Sequence, residues 1–196
     1  MKKHAITETL RKSIHLSSMV IPLSYKYLLH YNRALMFRIV LFLAILSIVI
    51  ELIRLERPTV KRIFHKLFGL LLRRHEMRDF TGATYMMVSS VICVAFLSPN
   101  ICFCSMAFLS IGDTFAAIVG MSAGKRKLFG TKKSLEGGLA CFLSTFIFGL
   151  FFLPPLVAFF GALSTAMAEI TNIPVDDNIR IPLIAGIVMS IVSIFI

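Results

Sequence analysis

The chain has 196 residues, 57% of them hydrophobic, with a mean hydropathy of +0.84. Soluble domains run near 45–50% apolar, so a water-soluble globular protein is excluded. Its 21 basic residues outnumber its 10 acidic ones by 11; beside long apolar runs this surplus marks a cytoplasmic membrane face, and no nucleic-acid partner is expected.

The N-terminal segment places Glu8, Arg11, Lys12 and His15 where a signal peptide would need an apolar run, and no small-x-small cleavage site follows. It reads as a retained cytoplasmic segment leading into a first span, about Ile14 to Tyr31, broken by Pro22 and carrying Lys26. A second span, about Ala34 to Ile53, contains Arg38. In the segment 54–82, Val60, Ile63, Phe64, Leu67, Phe68 and Leu71 recur at helical intervals with Lys61, Arg62, Lys66 and Arg73 between them. That pattern predicts a basic amphipathic helix in the membrane interface, whose plain role is anchoring to anionic lipid. Arg74, Glu76, Arg78 and Asp79 then crowd the start of the third span, as ion pairs or as phosphate contacts.

The third span, about Ala83 to Ser98, and the fourth, about Asn100 to Met121, meet at the turn Ser98-Pro99-Asn100. The fifth, about Gly138 to Leu153, meets the sixth, about Leu156 to Ile170, at Pro154-Pro155, and the seventh runs from Ile181 to Ile196. The expectation is an all-α integral membrane protein, one polytopic domain over 1–196. It has about seven transmembrane helices and an interfacial helix between the second and third. Cys93, Cys102, Cys104 and Cys141 lie within apolar runs without metal-ligand spacing and read as small core residues. Basic residues concentrate in the N-terminal tail, 54–82, 122–137 and Arg180, whereas the outer turns carry Arg33 alone as a full charge. The N-terminus is therefore expected in the cytoplasm and the C-terminus outside, the membrane being the inner or plasma membrane if the cell is bacterial.

Asp113 sits in the fourth span, about 12 Å below its inner end at 1.5 Å per residue. A carboxylate at that depth is expensive and marks function. Glu169, Asp176, Asp177 and His15 fall near the same face, so one cytoplasmic-facing site is expected. The loop 122–137 carries Lys125, Arg126, Lys127, Lys132 and Lys133. Gly120 and Gly124 before Lys125 miss the Walker A spacing by one residue, and Arg126 stands where its Ser or Thr would be, so a P-loop is rejected. What remains is glycine amides and lysines suited to a polyphosphate, with Asp113 and Glu136 able to hold Mg²⁺. The competing reading is a positive-inside loop beside two helix-terminal acids. Asp177-Asn178 before Ile181-Pro182-Leu183 would suit a helix cap and a proline at a helix start.

Four ordered blocks resemble the CTP-dependent lipid-alcohol kinases, the dolichol, phytol and diacylglycerol kinases. They are Glu8…Arg11-Lys12-x-x-His15-Leu16, Glu76…Gly82-Ala83-Thr84-Tyr85, Gly112-Asp113…Gly120…Gly124-Lys125…Gly130…Lys133-Ser134-Leu135-Glu136-Gly137, and Glu169…Asp177-Asn178-x-x-Ile181-Pro182-Leu183. The central block is also similar to that of CDP-diacylglycerol synthase, but that enzyme's His-Gly-Gly signature is absent and the Asp-Asn-x-x-Ile-Pro ending favours the kinase branch. The chain is short for a dolichol kinase.

The resemblance implies transfer of the γ-phosphate of CTP, or another nucleoside triphosphate, to a membrane lipid alcohol such as diacylglycerol, phytol or a polyprenol. Lys125, Lys132, Lys133, Arg11, Lys12 and the backbone at Gly120, Gly124 and Gly137 would contact phosphates or nucleotide, with Glu136 and Asn178 beside them. Asp113, Glu136 and Asp177 would hold Mg²⁺. Glu169 is the first choice of base, with His15 as another; a homodimer is compatible with this reading. A cytidylyltransferase would instead release pyrophosphate. An ion path through Asp113 and Glu169 would need polar residues continuing toward the outer leaflet, where only scattered Ser and Thr occur.

Overall fold

The computed structural model describes residues 2–73, 76–127 and 133–196, and the side chains of 2–6, 8 and 9 are outside that description. Among the described residues the structure is helical, apart from an antiparallel bridge between Lys127 and Ser134. In chain order come α1 (Lys2–Ser17), α2 (Val20–Leu23) with a π-helical turn (Ser24–Leu28), α3 (Arg33–Glu56) and α4 (Pro58–Phe68). They are followed by α5 (Gly82–Phe96), α6 (Pro99–Ser122), α7 (Leu135–Leu150), α8 (Pro155–Ile170) and α9 (Asp177–Val192).

The expected first span is not one helix. Pro22 has no N–H to give the carbonyl of Ser18, and its ring would crowd that carbonyl, so the helix breaks just before it. The Ser18 carbonyl takes the Ile21 amide instead, at 3.0 Å. Wider turns follow, with Leu29 N donating to Ser24 O and Tyr31 N to Tyr25 O, both at 2.9 Å. His30 and Tyr31, at φ 45° and 61°, then reverse the chain into α3. Lys26 lies 3.8 Å from the Phe152 ring centroid and 4.9 Å from that of Phe103, so its charge rests on aromatic faces.

Two helices, α3 and α6, are long and apolar enough to cross a membrane, at 24 residues each. The shorter apolar helices α5, α7 and α8 have 15, 16 and 16 residues. Only 22% of the apolar window of α3 is buried, against 78% of that of α6. Helix α3 therefore turns Phe42, Ile45, Leu46 and Val49 outward, the exterior of a membrane protein, while α6 is the axis around which α1, α7, α8 and α9 pack. Helix α9 starts a turn before the expected Ile181, because Asp176 caps it by accepting the Asn178 amide at 2.9 Å. Pro182 consequently lies inside the helix, not at its start. All four cysteines are buried and unpaired, as core residues.

Close approach of α6, α7 and α8 depends on Gly112. A Cβ there would lie 2.8 Å from Cys141 Sγ and 3.2 and 3.3 Å from the methyl groups of Thr145 and Thr165. Small residues at such contacts are how membrane helices gain packing contact. Gly112→Val is expected to cost about 1–3 kcal/mol by overpacking, read as a lower melting temperature in detergent; an unchanged melt would refute this contact.

Candidate active site

Asp113, on the C-terminal half of α6, is buried, and two side chains of α1 meet it. Lys12 Nζ donates to Asp113 Oδ1 at 2.5 Å. His15 Nε2 lies 3.3 Å from Oδ2, near enough for an ion pair but not aligned as a hydrogen bond. Lys12 and His15 share a face because they are three residues apart on a helix. One turn further, the hydroxyls of Ser18 and Ser110 are 2.7 Å apart and tie α1 to α6.

The segment after α4 is folded over this centre by an arginine that the sequence reading treated as a loop charge. Arg54 is fully buried at the end of α3. Its Nε donates to Glu51 Oε2 at 2.5 Å, Nη1 to the Glu76 carbonyl at 3.0 Å and Nη2 to the Asp79 carbonyl at 2.6 Å. Glu51 Oε1 accepts the Thr81 amide at 3.1 Å, and the Phe64 ring centroid lies 5.1 Å from the guanidinium. Glu76 completes the fold by accepting the amides of Arg73 at 2.6 Å and Gly82 at 2.9 Å. Arg73 is thereby turned inward, with Nη1 3.8 Å from Asp176 Oδ2. Burial works against its charge, but Asp113, Asp176, Glu76 and Asp177 outweigh burial and raise its pKa.

A second cluster lies beside the first. Lys133 Nζ donates to the Glu169 carbonyl at 2.5 Å and to Asp177 Oδ2 at 3.0 Å, and is 3.3 Å from Glu169 Oε1. Arg180 Nη2 donates to Asp177 Oδ1. Among the described residues, Glu169 Oε2 and Arg180 Nε and Nη1 are buried without a hydrogen-bond partner. The acids and bases of α1, α6, α8 and α9 thus collect at one end of the bundle. A cavity of about 340 Å³ opens there, lined by the polar side chains of Arg11, Lys12, His15, Arg73, Asp113 and Asn178 and by the apolar Phe64 and Phe68 of α4 with Leu71 and Leu72 beyond it.

Other expected residues stand elsewhere. Glu136, in the first turn of α7, accepts the Arg126 amide at 3.3 Å on each oxygen, and Lys125 is exposed. Gly124 and Gly137 have a packing role: a Cβ on Gly124 would be 2.3 Å from the Gly120 carbonyl oxygen, and one on Gly137 2.8 Å from that of Ala116. They let the end of α6 lie against Ser134, which caps α7 by accepting the Gly137 amide at 3.1 Å. Lys132 and Gly130, with Arg74, lie outside the described residues, as does the Glu8 side chain. No group of three or more His, Cys, Asp or Glu placed to hold a metal ion occurs among the described residues. Asp113, Glu136 and Asp177 each have separate partners. Sequence reasoning passed over Arg73 and the Glu51–Arg54 pair as site-forming residues. The i,i+3 spacing of Glu51 and Arg54 at the end of an apolar helix was a usable signal, whereas nothing local links Arg73 to Asp176.

The chain is 25% identical over a 218-residue alignment to CTP-dependent diacylglycerol kinase 1 of Saccharomyces cerevisiae, covering 97% of this chain and 74% of the relative. It is 26% identical over 164 residues to the protein of the same name from Schizosaccharomyces pombe, covering 72% and 74%. It is also 24% identical over 193 residues to an uncharacterised protein of Rickettsia prowazekii, with 90% of each covered. No family model and no solved structure matches it. These relatives extend the motif resemblance along the chain: it is a relative of the CTP-dependent lipid kinases.

Proposed function

We propose that the protein is a membrane-embedded kinase that transfers the γ-phosphate of CTP to the hydroxyl of diacylglycerol. The observation that carries this reading is the cavity itself, which sets Lys12, His15, Arg73 and Asp113 against an apolar wall. A nucleotide's phosphates and an amphiphile's hydroxyl can meet only where both chemistries adjoin. The names of the yeast relatives supply the donor and acceptor.

In this reading Lys12, Arg73 and Arg11 neutralise the phosphate chain, and exposed Lys125 approaches it from the loop. His15, which lines the cavity, replaces Glu169 as the base, because Glu169 is engaged with Lys133 and does not line the cavity. The acceptor oxygen attacks the γ-phosphorus, the bond from that phosphorus to the β–γ bridging oxygen breaks, CDP leaves, and the hydroxyl proton passes to the His15 imidazole. Asp113 orients and balances His15. Lys133, Glu169, Asp177 and Arg180 fix the start of α9, and with it Asn178, at the cavity.

Of the two carboxylates lining the cavity, Glu76 is committed to backbone amides, while Asp113 holds only side-chain cations that phosphates could draw away. The residues therefore fit Mg²⁺, which takes one or two carboxylates plus phosphate oxygens, with Asp113 as its protein ligand. When bound, it would neutralise charge on the transferring phosphate. Helices α5, α7, α8 and α9 and the broken first segment, 14–31, are read as spans that bring the total to seven, with the N-terminus and the site cytoplasmic and the C-terminus outside.

The test is the nucleotide product. Purified protein given CTP, Mg²⁺ and diacylglycerol should form CDP one-for-one with phosphatidate, resolved by chromatography. Pyrophosphate and CDP-lipid formed from phosphatidate would establish the cytidylyltransferase instead.

A further inference from the structure

Helix α4 was expected to be a membrane anchor, but its apolar residues divide between two faces. Ile63 and Leu67 are 55% and 68% exposed on the outer side. Phe64 and Phe68, four residues apart, line the cavity together with Leu71 and Leu72 just beyond the helix. No packed protein core fills the space they face. The buried Arg54 guanidinium, over the Phe64 ring, holds the helix at this distance. Ile14 of α1 also lines the cavity and is 54% exposed, as Phe68 is 45% exposed. The mouth between α1 and α4 is therefore framed by apolar side chains, and the charged end lies behind it.

We infer that the inner face of α4, with Leu71 and Leu72, binds the hydrocarbon chain of the acceptor lipid, which enters between Ile14 and Phe68 with its hydroxyl toward His15. This deepens the kinase reading and rests on it. The lining selects this occupant: the cations are taken by the nucleotide's phosphates, a neutral glycerol hydroxyl needs only hydrogen bonds at the polar end, and its chain matches the apolar side chains. A cavity near the lower end of the usual ligand-pocket range, about 300–1,000 Å³, holds the headgroup and the first part of one chain, leaving the rest in the bilayer. Phe68 and Leu72 become specificity-determining residues, and α4 becomes part of the substrate site as well as an anchor.

The experiment uses the full chain in phosphatidylcholine vesicles with a diacylglycerol carrying a diazirine near the carbonyl end of one acyl chain. After illumination, adducts are mapped by mass spectrometry. Adducts are expected on Phe64, Phe68, Leu71, Leu72 and Ile14, and unlabelled diacylglycerol should compete them away. Phe68→Ala and Leu72→Ala should lower their yield by about 5- to 30-fold, the effect of losing 1–2 kcal/mol of contact, while Leu67→Ala on the outer face leaves it unchanged. Adducts spread over Ile63, Leu67 and the outer face of α3 without competition would overturn the inference. Failure of the kinase reading shows separately, as absence of CTP turnover in the same vesicles while competed adducts persist.

Discussion

Asp113→Asn is expected to lower lipid phosphorylation by about 10³-fold or more, the scale lost when a centre built on charge placement loses its central charge. The carboxylate neutralises Lys12 at 2.5 Å and faces His15 at 3.3 Å, so asparagine removes both the orienting charge and the anionic ligand for Mg²⁺. It also strands Lys12, itself 8% exposed, without a counter-charge. Stability and catalysis are separated by the double variant Lys12→Met with Asp113→Asn. That variant no longer buries an unpaired cation, so it should melt closer to the parent than Asp113→Asn does while remaining inactive. Initial rates and thermal melts in the same detergent check both halves. Near-normal turnover of Asp113→Asn would remove Asp113 from the chemistry altogether.

The second large effect is on stability. Arg54→Ala leaves Glu51 buried without a counter-charge and releases the carbonyls of Glu76 and Asp79, so it should destabilise the protein by about 3–5 kcal/mol. The segment that presents Arg73, Thr81 and Gly82 to the cavity would loosen with it. Replacing the pair by apolar residues, Glu51→Leu with Arg54→Met, should recover much of the loss, since a buried ion pair often exchanges for packing at little net cost. Denaturant unfolding followed by circular dichroism reads both variants. If Arg54→Ala unfolds at the parent's midpoint, the clamp contributes nothing.

The helices were legible because apolar runs of span length are a strong local signal: α3, α5, α6, α7 and α8 begin and end within about three residues of their expected limits. One proline misled, because hydrogen-bond geometry rather than composition decides. Pro22 broke the first segment as expected, but Pro182, expected at a helix start, was accepted inside α9 because Asp176 had already capped the helix. In the site, Asp113 announced itself by charge in an apolar helix, and Lys12 and His15 by spacing. Partnerships were not legible. Lys133 meets Glu169 and Asp177 across 36 and 44 residues, and such pairings are set by how α7, α8 and α9 pack. The glycines of the central loop illustrate the ambiguity: Gly124 and Gly137 serve close packing against Gly120, Ser134 and Ala116, a role that looks the same in sequence as phosphate binding.

Transfer of label from [γ-³²P]CTP tests the central claim most directly. Purified protein with Mg²⁺ and diacylglycerol should yield labelled phosphatidate, and [α-³²P]CTP should leave the lipid unlabelled. Label in the lipid only from [α-³²P]CTP, or from neither nucleotide, would contradict a γ-phosphoryl transfer to the lipid hydroxyl.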